Sequence, residues 1–284
     1  MVNRYFVQYL LNVGVLSSEE VQALLPRIAQ VKPQLPLLAL MKGFVTSSQL
    51  NELSGLDENT FAEEAKDKKI LTALQIENLQ SIVPEREVCF SQLLLDDGKL
   101  DYKGVEDHLA AYAKAEAGMN PVLEAVMRRT TGKDEEPEYM TYGKYADMFI
   151  MSTQRFIATE AVILPEIPQV EPKGVLVSQR LSGGMVMTAG VMADDEVFLE
   201  LGRRYSGEEL TEIDELAIDC VAEFLNVLNG LYIVNLSHMD MDVDILEPRR
   251  AVNVLPEASR LAAFTVATEF GNFVLYMAED EFMF

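Results

Sequence analysis

The first 115 residues repeat one pattern of apolar and polar positions four times. In each repeat an apolar helical stretch ends at a turn residue, two mostly apolar residues follow, and a polar residue precedes the next helical stretch. A glycine at such a turn can take the positive φ that ends a helix, and Ser, Thr or Asp can cap the next helix. The turn residues are Gly14, Gly43, Lys69 and Gly98, and the caps are Ser17, Thr46, Thr72 and Asp101. Because one helical hairpin cannot bury its apolar face alone, we expect four packed hairpins in an all-α domain over residues 1–115.

The pattern changes twice further along the chain. Residues 116–141 lose the apolar periodicity and hold charged residues with Gly132 and Pro137, which predicts a linker. From residue 142 to residue 284, helical spacing of apolar residues alternates with short apolar runs bounded by turn residues. This alternation predicts an α+β domain in which long helices pack on an antiparallel sheet.

The elements predicted for this second domain follow from the same periodicities. A hairpin turn is indicated at residues 182–184, where serine precedes two glycines. The prediction comprises a helix over 143–159 stopped by Pro165 and Pro168, strands over 175–181 and 185–192, a helix over 194–204, a long helix capped by Thr211 and reaching Leu231 or beyond, and strands over 262–268 and 272–277.

The long helix carries the candidate site. At about 100° per residue, Asp219, Glu223, Asn226 and Gly230 fall in one narrow stripe, opposite a face that would pack on the sheet. Such a stripe is ordinarily solvated surface. However, Asn226 and Asn229 are poor helix formers, and a glycine inside a helix costs about 1 kcal/mol relative to alanine. We therefore expect another group to approach the helix backbone closely at Gly230.

The string from Glu223 to Gly230 resembles the Glu-x-x-Asn-x-x-x-Gly signature of the CheC/CheX/FliY family of chemotaxis phosphatases. The predicted order of elements over about residues 142–284 is also similar to that family. The leading helix has Gln154 and Arg155 where two-site members carry a second Glu-x-x-Asn, so the chain resembles the single-site, CheX-like type.

The resemblance implies a mechanism. The substrate would be a phospho-aspartate on a CheY-like response regulator, which brings its own acidic pocket, Mg²⁺ and lysine. Glu223 would pair with that lysine, and Asn226 would hold a water in line with the phosphorus. Asp219, Asn229 and Gly230 would contact the regulator. The family further implies a homodimer, and no cofactor or metal carried by this chain itself.

The repeats resemble, in turn, the MshEN-type domain at the N-terminus of some secretion and pilus ATPases. Those domains have paired motifs of the form Arg-Leu-Gly-x-x-Leu-Val-x-x-Gly-Leu-Leu, and some bind cyclic di-GMP. The leucine ladder, turn glycine and spacing agree over roughly residues 3–115. The opening Arg-Leu-Gly is replaced by Tyr-Phe-Val at 5–7, Gln-Leu-Pro at 34–36 and Cys-Phe-Ser at 89–91. These replacements remove residues that the family uses against the nucleotide, which favours a degenerate scaffold that docks a second protein.

The net charge of the chain limits the kinds of partner that it can bind. The chain has 23 basic and 46 acidic residues and a net charge of −23, so it repels nucleic acid and anionic lipid surfaces and favours a partner with a basic patch. An acidic surface that only maintains solubility is the more common explanation. The start of the chain lacks the features of a signal peptide, and no unbroken apolar run approaches the length of about 18 residues that a membrane span needs. We expect a cytoplasmic protein.

Metal and disulfide chemistry have little support in the sequence. The two cysteines, Cys89 and Cys220, lie in apolar surroundings, and the two histidines stand alone. The acidic residues at 240, 242 and 244 alternate with apolar ones, as in a half-exposed strand.

Three function classes remain open. The first is a phospho-aspartate phosphatase, which the presence of both Glu223 and Asn226 favours. The second is a non-catalytic adaptor of the same fold that binds a regulator while the repeats dock another protein, because a fold does not determine function. The third is a second-messenger sensor that acts through the repeats.

Overall fold

The computed structural model describes residues 6–53, 55–115, 137–169 and 171–284. The chain divides into two compact units, Met1–Gly118 and Met119–Phe284. Most of the predicted linker, residues 116–136, lies outside the described residues. Its last part is different from the prediction, because residues 137–141 already belong to a helix that begins at Pro137. Proline is well suited to that first position, where its missing N–H has no helical partner to lose.

The first unit has the four predicted helical hairpins. A short 3₁₀ helix, Leu25–Gln30, follows the first of them. The pairs are α1 Phe6–Asn12 with α2 Ser18–Leu24, α3 Leu35–Met41 with α4 Ser47–Asn51, α5 Glu58–Asp67 with α6 Ala73–Ser81, and α7 Arg86–Asp96 with α8 Tyr102–Ala115.

All four hairpins turn in the same way. Gly14, Gly43, Lys69 and Gly98 have φ of 76°, 70°, 57° and 65°. After each one, the next backbone N–H donates to a carbonyl five residues back, which is the hydrogen bond of a Schellman helix end. The N to O distances are 3.0 Å from Val15 to Leu10, 2.9 Å from Phe44 to Ala39, 2.8 Å from Ile70 to Ala65 and 2.8 Å from Lys99 to Leu94. The predicted turn positions are confirmed, including the one occupied by lysine.

The predicted caps are confirmed as well. The hydroxyls of Ser17, Thr46 and Thr72 accept hydrogen bonds from the backbone N–H three residues on. In return, the backbone N–H of each cap residue donates to the side-chain oxygen of the Glu or Gln at that position. The carboxylate of Asp101 accepts from the N–H of Gly104 at 2.7 Å. Each helix therefore begins with one of its orphan N–H groups satisfied locally.

The hairpins bury their apolar faces together. One cluster joins residues of α3 to α8, with Leu37, Phe61 and Leu79 fully buried. The first and fourth hairpins are also linked at the surface, where Arg27 binds both carboxylate oxygens of Asp97 at 2.6 and 2.9 Å. This packing is what the sequence pattern requires of hairpins that cannot be stable singly.

The second unit is α+β. Its strands form one antiparallel sheet in the order β1-β6-β7-β3-β2-β4, and β5 pairs with β2 as well. Three helices of this unit lie within the residues that the structure describes. The elements are α9 Pro137–Ile157, β1 Ala161–Ile163, β2 Val175–Gly183, β3 Met187–Ala193, α10 Asp195–Ser206, α11 Glu215–Ser237, β4 Val243–Ile245, β5 Arg249–Val252, β6 Ala262–Thr268 and β7 Gly271–Ala278.

Both faces of the sheet are covered. The three helices contact each other, and α11 crosses β2. The other face buries Leu176, Met192 and Tyr276 beneath a chain segment that includes Phe282. Gly190 on β3 makes room there, because a Cβ at that position would lie 2.8 Å from the ring of Phe282.

Several predicted boundaries are corrected. The long helix begins at Glu215 and its N-cap is Asp214, whose carboxylate accepts from the N–H of Ala217 at 2.9 Å, so Thr211 is not the cap. Helix α9 ends at Ile157, well before the two prolines, where Ala158 takes a φ of 47°. Strands β1 and β5 were not predicted. The acidic alternation at 240–244 is a strand only at Val243–Ile245.

Helix α11 passes a test for membrane spans by length and composition alone, with a mean hydropathy of 1.5 in its best window. The sequence-based expectation concerned unbroken apolar runs, and this helix is interrupted by Asp219 and Glu223. Half of that window is buried inside the unit, as in the core helix of a globular domain.

Candidate functional site

Packing of α11 determines which of its residues reach the surface. On its inner side Tyr232 makes an edge-to-face contact with Tyr145 of α9, with ring centroids 5.1 Å apart. About two turns earlier on α11, the ring of Phe224 lies 6.0 Å from that of Phe149. Such aromatic pairs fix the rotation of a helix about its axis, because each ring must fill one gap between neighbours.

That rotation leaves Glu223 exposed and Asn226 half-buried on the outer side. The two side chains touch, since Nδ2 of Asn226 donates to Oε2 of Glu223 at 3.2 Å. The predicted stripe therefore brings its two candidate catalytic groups together. Its other members, Asp219 and Gly230, lie exposed and half-exposed on the same helix.

The backbone at Gly230 is open, as it must be if another molecule is to approach it closely. A Cβ built on Gly230 has no heavy atom within 4 Å. In the part of the chain that the structure describes, no neighbouring atom is close enough to require a glycine at this position. The close approach of a group from another molecule stays a prediction.

The structure corrects the prediction for Asn229. This residue was predicted to contact the partner, but its side chain is completely buried, 0% exposed. Its Oδ1 accepts from the hydroxyl of Tyr145 at 2.7 Å, and its Nδ2 donates to Oε1 of Gln179 at 2.8 Å. Asn229 lies about 60° round the helix from Asn226, and at this position that turns it from the surface into the core.

Gln179 of β2 connects this buried pair to the surface. Its Nε2 donates to Oδ1 of Asn226 at 3.0 Å and to the backbone carbonyl of Leu246 at 2.9 Å. The side chain is only 3% exposed. Together Tyr145, Asn229, Gln179, Asn226 and Glu223 form one continuous chain of hydrogen bonds, here named the amide relay.

Sequence reasoning missed Gln179, although a signal was present. Residues alternate between the two faces of a strand, and Gln179 shares its face with Val177 and Leu181, both completely buried. A glutamine at an inward strand position must find hydrogen-bond partners, because burying an unpaired amide is costly. The sequence alone did not show which partners those were.

One titratable group lies beside the exposed end of the relay. Burial raises the pKa of Tyr205, and the negative charge of Glu223 raises it further. The ring of Tyr205 packs against Phe224 with centroids 5.6 Å apart. Tyr205 therefore stays a neutral hydroxyl next to Glu223 over the ordinary pH range.

No group of three or more His, Cys, Asp or Glu side chains within the described ranges converges as metal ligands do. Both cysteines are free and buried. The chemistry that this arrangement can offer is therefore that of an exposed carboxylate beside a fixed carboxamide. The carboxylate can pair with a cation, and the carboxamide can orient a polar molecule such as water.

No family model matches the sequence, and no curated protein matches it. Solved structures are similar over about half of the chain. The CheX chemotaxis protein of Desulfovibrio desulfuricans is 13% identical, with a TM-score of 0.42, over 48% of this chain and 96% of that one. CheX of Vibrio vulnificus is 15% identical, with a TM-score of 0.41, over 47% of this chain and 92% of that one. CheX of Borrelia burgdorferi, solved in complex with CheY, BeF3 and Mg, is 19% identical, with a TM-score of 0.37, over 48% of this chain and 96% of that one.

The chain is thus similar in structure, over about half of its length, to chemotaxis proteins of the CheX type. A CheC-like protein of a Shewanella species is among the similar structures too, at 14% identity and a TM-score of 0.39. Nothing in these similarities supports the resemblance of residues 3–115 to MshEN-type domains, which stays a prediction.

Proposed function

We propose that the second unit binds a phosphorylated CheY-like response regulator and hydrolyses its aspartyl phosphate. The observation that carries the proposal is the contact between Glu223 and Asn226 on the outer side of α11, with Asn226 anchored from behind by Gln179. The residues from Glu223 to Gly230 also agree with the Glu-x-x-Asn-x-x-x-Gly signature, which supplies the substrate class.

The chemistry needs little beyond positioning. The oxygen of a water forms a bond to phosphorus while the bond from phosphorus to the aspartyl oxygen breaks, and the carboxylate leaves with the electron pair. One proton of the water passes to a phosphoryl oxygen, which gives inorganic phosphate. Because phosphoryl transfer has a loose transition state, placing the water in line supplies much of the rate gain.

The two side chains divide the work. Asn226 orients the water through its carboxamide, which carries no charge and does not repel the phosphoryl oxygens as a carboxylate would. Glu223 pairs with a lysine of the regulator and so places Asn226 at the phosphate. The regulator supplies its own acidic pocket and Mg²⁺, so the proposal requires no metal on this chain. Gly230 leaves room for the regulator's backbone to approach α11.

The proposal is tested by the rate of phosphate loss from a phosphorylated CheY-like regulator, measured with the full chain. We expect the wild type to accelerate this loss, and both Asn226→Ala and Glu223→Ala to abolish the acceleration. Asn235→Ala is the matched control, because Asn235 is an exposed asparagine near the end of the same helix and outside the site. It should retain the wild-type rate.

Failure would take two forms. If the wild type binds the phosphorylated regulator without accelerating phosphate loss, the unit is an adaptor and the catalytic assignment is wrong. If it neither binds nor accelerates, the regulator is not its partner. A homodimer and a second protein docked on the first unit are further proposals, which sedimentation and thermal stabilisation by added ligands would test.

A further inference from the structure

Gln179 lies in the middle of the amide relay, and both its side-chain nitrogen and its side-chain oxygen form hydrogen bonds there. Its Nε2 donates to Oδ1 of Asn226 and to the carbonyl of Leu246, and its Oε1 accepts from Nδ2 of Asn229. We infer that Gln179 is a positioning residue that holds the carboxamide of Asn226 in a single orientation. The catalytic consequence of this inference rests on the proposed function, whereas the orientation itself does not.

The orientation is dictated by chemical identity. The carbonyl of Leu246 can only accept, so the atom of Gln179 that faces it must be the donor Nε2. The same Nε2 faces Asn226, and Asn226 must therefore present its oxygen inward and its nitrogen outward. A reversed Gln179 would set its oxygen against the Leu246 carbonyl, which is unfavourable for a side chain that is only 3% exposed.

The outer end of the relay imposes the same orientation independently. An ionised Glu223 can only accept, so Asn226 must turn Nδ2 towards it, as the 3.2 Å contact shows. The inner end is compatible, because Oδ1 of Asn229 accepts a hydrogen bond from the Tyr145 hydroxyl and its Nδ2 donates to Gln179. Two groups that can only accept, the Leu246 carbonyl and the Glu223 carboxylate, thus select one of two orientations for each amide of the relay.

This arrangement separates two functions of the site, the pairing of Glu223 with a lysine and the orientation of water by Asn226. When Glu223 turns away to pair with a lysine of the regulator, Asn226 loses one hydrogen bond but keeps the one from Gln179. Its Nδ2 hydrogens then face outward, towards the regulator. Gln179 therefore keeps the water-orienting group in place at the moment when its exposed neighbour is withdrawn.

The kinetic test uses Gln179→Glu and Gln179→Leu in the full chain. The first keeps an acceptor for Asn229 and loses the Nε2 donor, and the second removes all three bonds. We expect kcat for phosphate loss to fall roughly 10- to 100-fold while KM for the regulator changes by less than about twofold, because orientation and not binding is lost. Thr188→Val is the matched control, since it removes a buried side-chain hydrogen bond of the same sheet, from Thr188 to Asp280 O.

The control variant separates positioning from a general structural role. If Gln179 acts by orienting Asn226, both Gln179 variants lose far more rate than Thr188→Val does. Losses equal to those of Thr188→Val would overturn the inference.

A second readout does not depend on activity. The side-chain ¹⁵N–¹H signals of Asn226 should be those of a fixed amide in the wild type and shift towards those of a mobile amide in both Gln179 variants. Unchanged signals would overturn the inference even if the kinetics were altered. If the wild type accelerates no phosphate loss, the proposed function fails, and these signals alone decide the role of Gln179.

Discussion

The innermost bond of the amide relay allows a sharp test by Tyr145→Phe. This substitution removes one oxygen atom and leaves the ring, and hence the contact with Tyr232, in place. What changes is the partner of Asn229, whose Oδ1 is completely buried and receives the Tyr145 hydroxyl at 2.7 Å. Burial raises the pKa of Tyr145, so the hydroxyl is a donor at every ordinary pH.

Asn229 cannot adapt by turning its amide over. Reversal would set its oxygen against Oε1 of Gln179, and Gln179 is itself fixed by the Leu246 carbonyl. The cost is therefore that of a buried acceptor without a donor, about 1–3 kcal/mol. In a unit of this size each kcal/mol lowers Tm by about 2–4 °C, so we expect a loss of about 2–12 °C.

The assay is calorimetry of the full chain, because it can resolve separate transitions of the two units. Tyr276→Phe is the control. Its ring is also buried, and desolvation raises its pKa to about 12, but its hydroxyl bonds no group in the part of the chain that the structure describes. A Tm for Tyr145→Phe equal to that of the control would refute the reasoning, since it would mean that Asn229 Oδ1 is not isolated in the core.

Three further perturbations have expected outcomes. Burial raises the pKa of Asp147 from 3.8 to about 6, so the native state binds a proton more readily than the unfolded chain between these values, and stability falls as pH rises through that window. Asp147→Asn should therefore stabilise the protein by at most about 3 kcal/mol above pH 6 and have little effect near pH 4, which Tm values across pH would check; a pH-independent difference would contradict this. Gly230→Ala should raise stability by about 0.5–1 kcal/mol, because its Cβ meets nothing, while weakening binding of the phosphorylated regulator; unchanged binding would remove the predicted contact. Lys69→Gly should raise the Tm of the first unit by relieving about 1 kcal/mol of left-handed strain, whereas Gly43→Ala should lower it, and equal effects would contradict the shared turn geometry.

The sequence predicted the first unit well because its determinants are local. A left-handed turn residue, a Schellman bond and a capping side chain all lie within a few residues of one another, and even Lys69 could be placed from its neighbours. The same applies to the stripe of α11, where helical spacing alone put Glu223 next to Asn226. What was confirmed here depends on periodicity, not on distant contacts.

The predictions that were missed or wrong depend on contacts between residues that are distant in sequence or on how elements pack. Gln179 lies 47 residues from Asn226 in sequence, and only the packing of α11 on β2 brings the two together. Asn229 was predicted to contact the regulator, because periodicity does not say where a helix face passes beneath the next element. Strand β5 is short, begins with two arginines and is largely exposed, so its pattern resembles a loop until its register with β2 is known.

The amide relay also bears on how the site responds to acidity. From Tyr145 to Asn226 it consists of a phenol whose pKa is raised by burial and of carboxamides that do not titrate. None of these inner groups gains or loses a proton between mildly acidic and mildly alkaline solution. Many sites orient a water with histidine or carboxylate, whose hydrogen-bonding pattern inverts on protonation. Here the inner groups that hold Asn226 do not titrate, so the direction in which its carboxamide points does not change with pH.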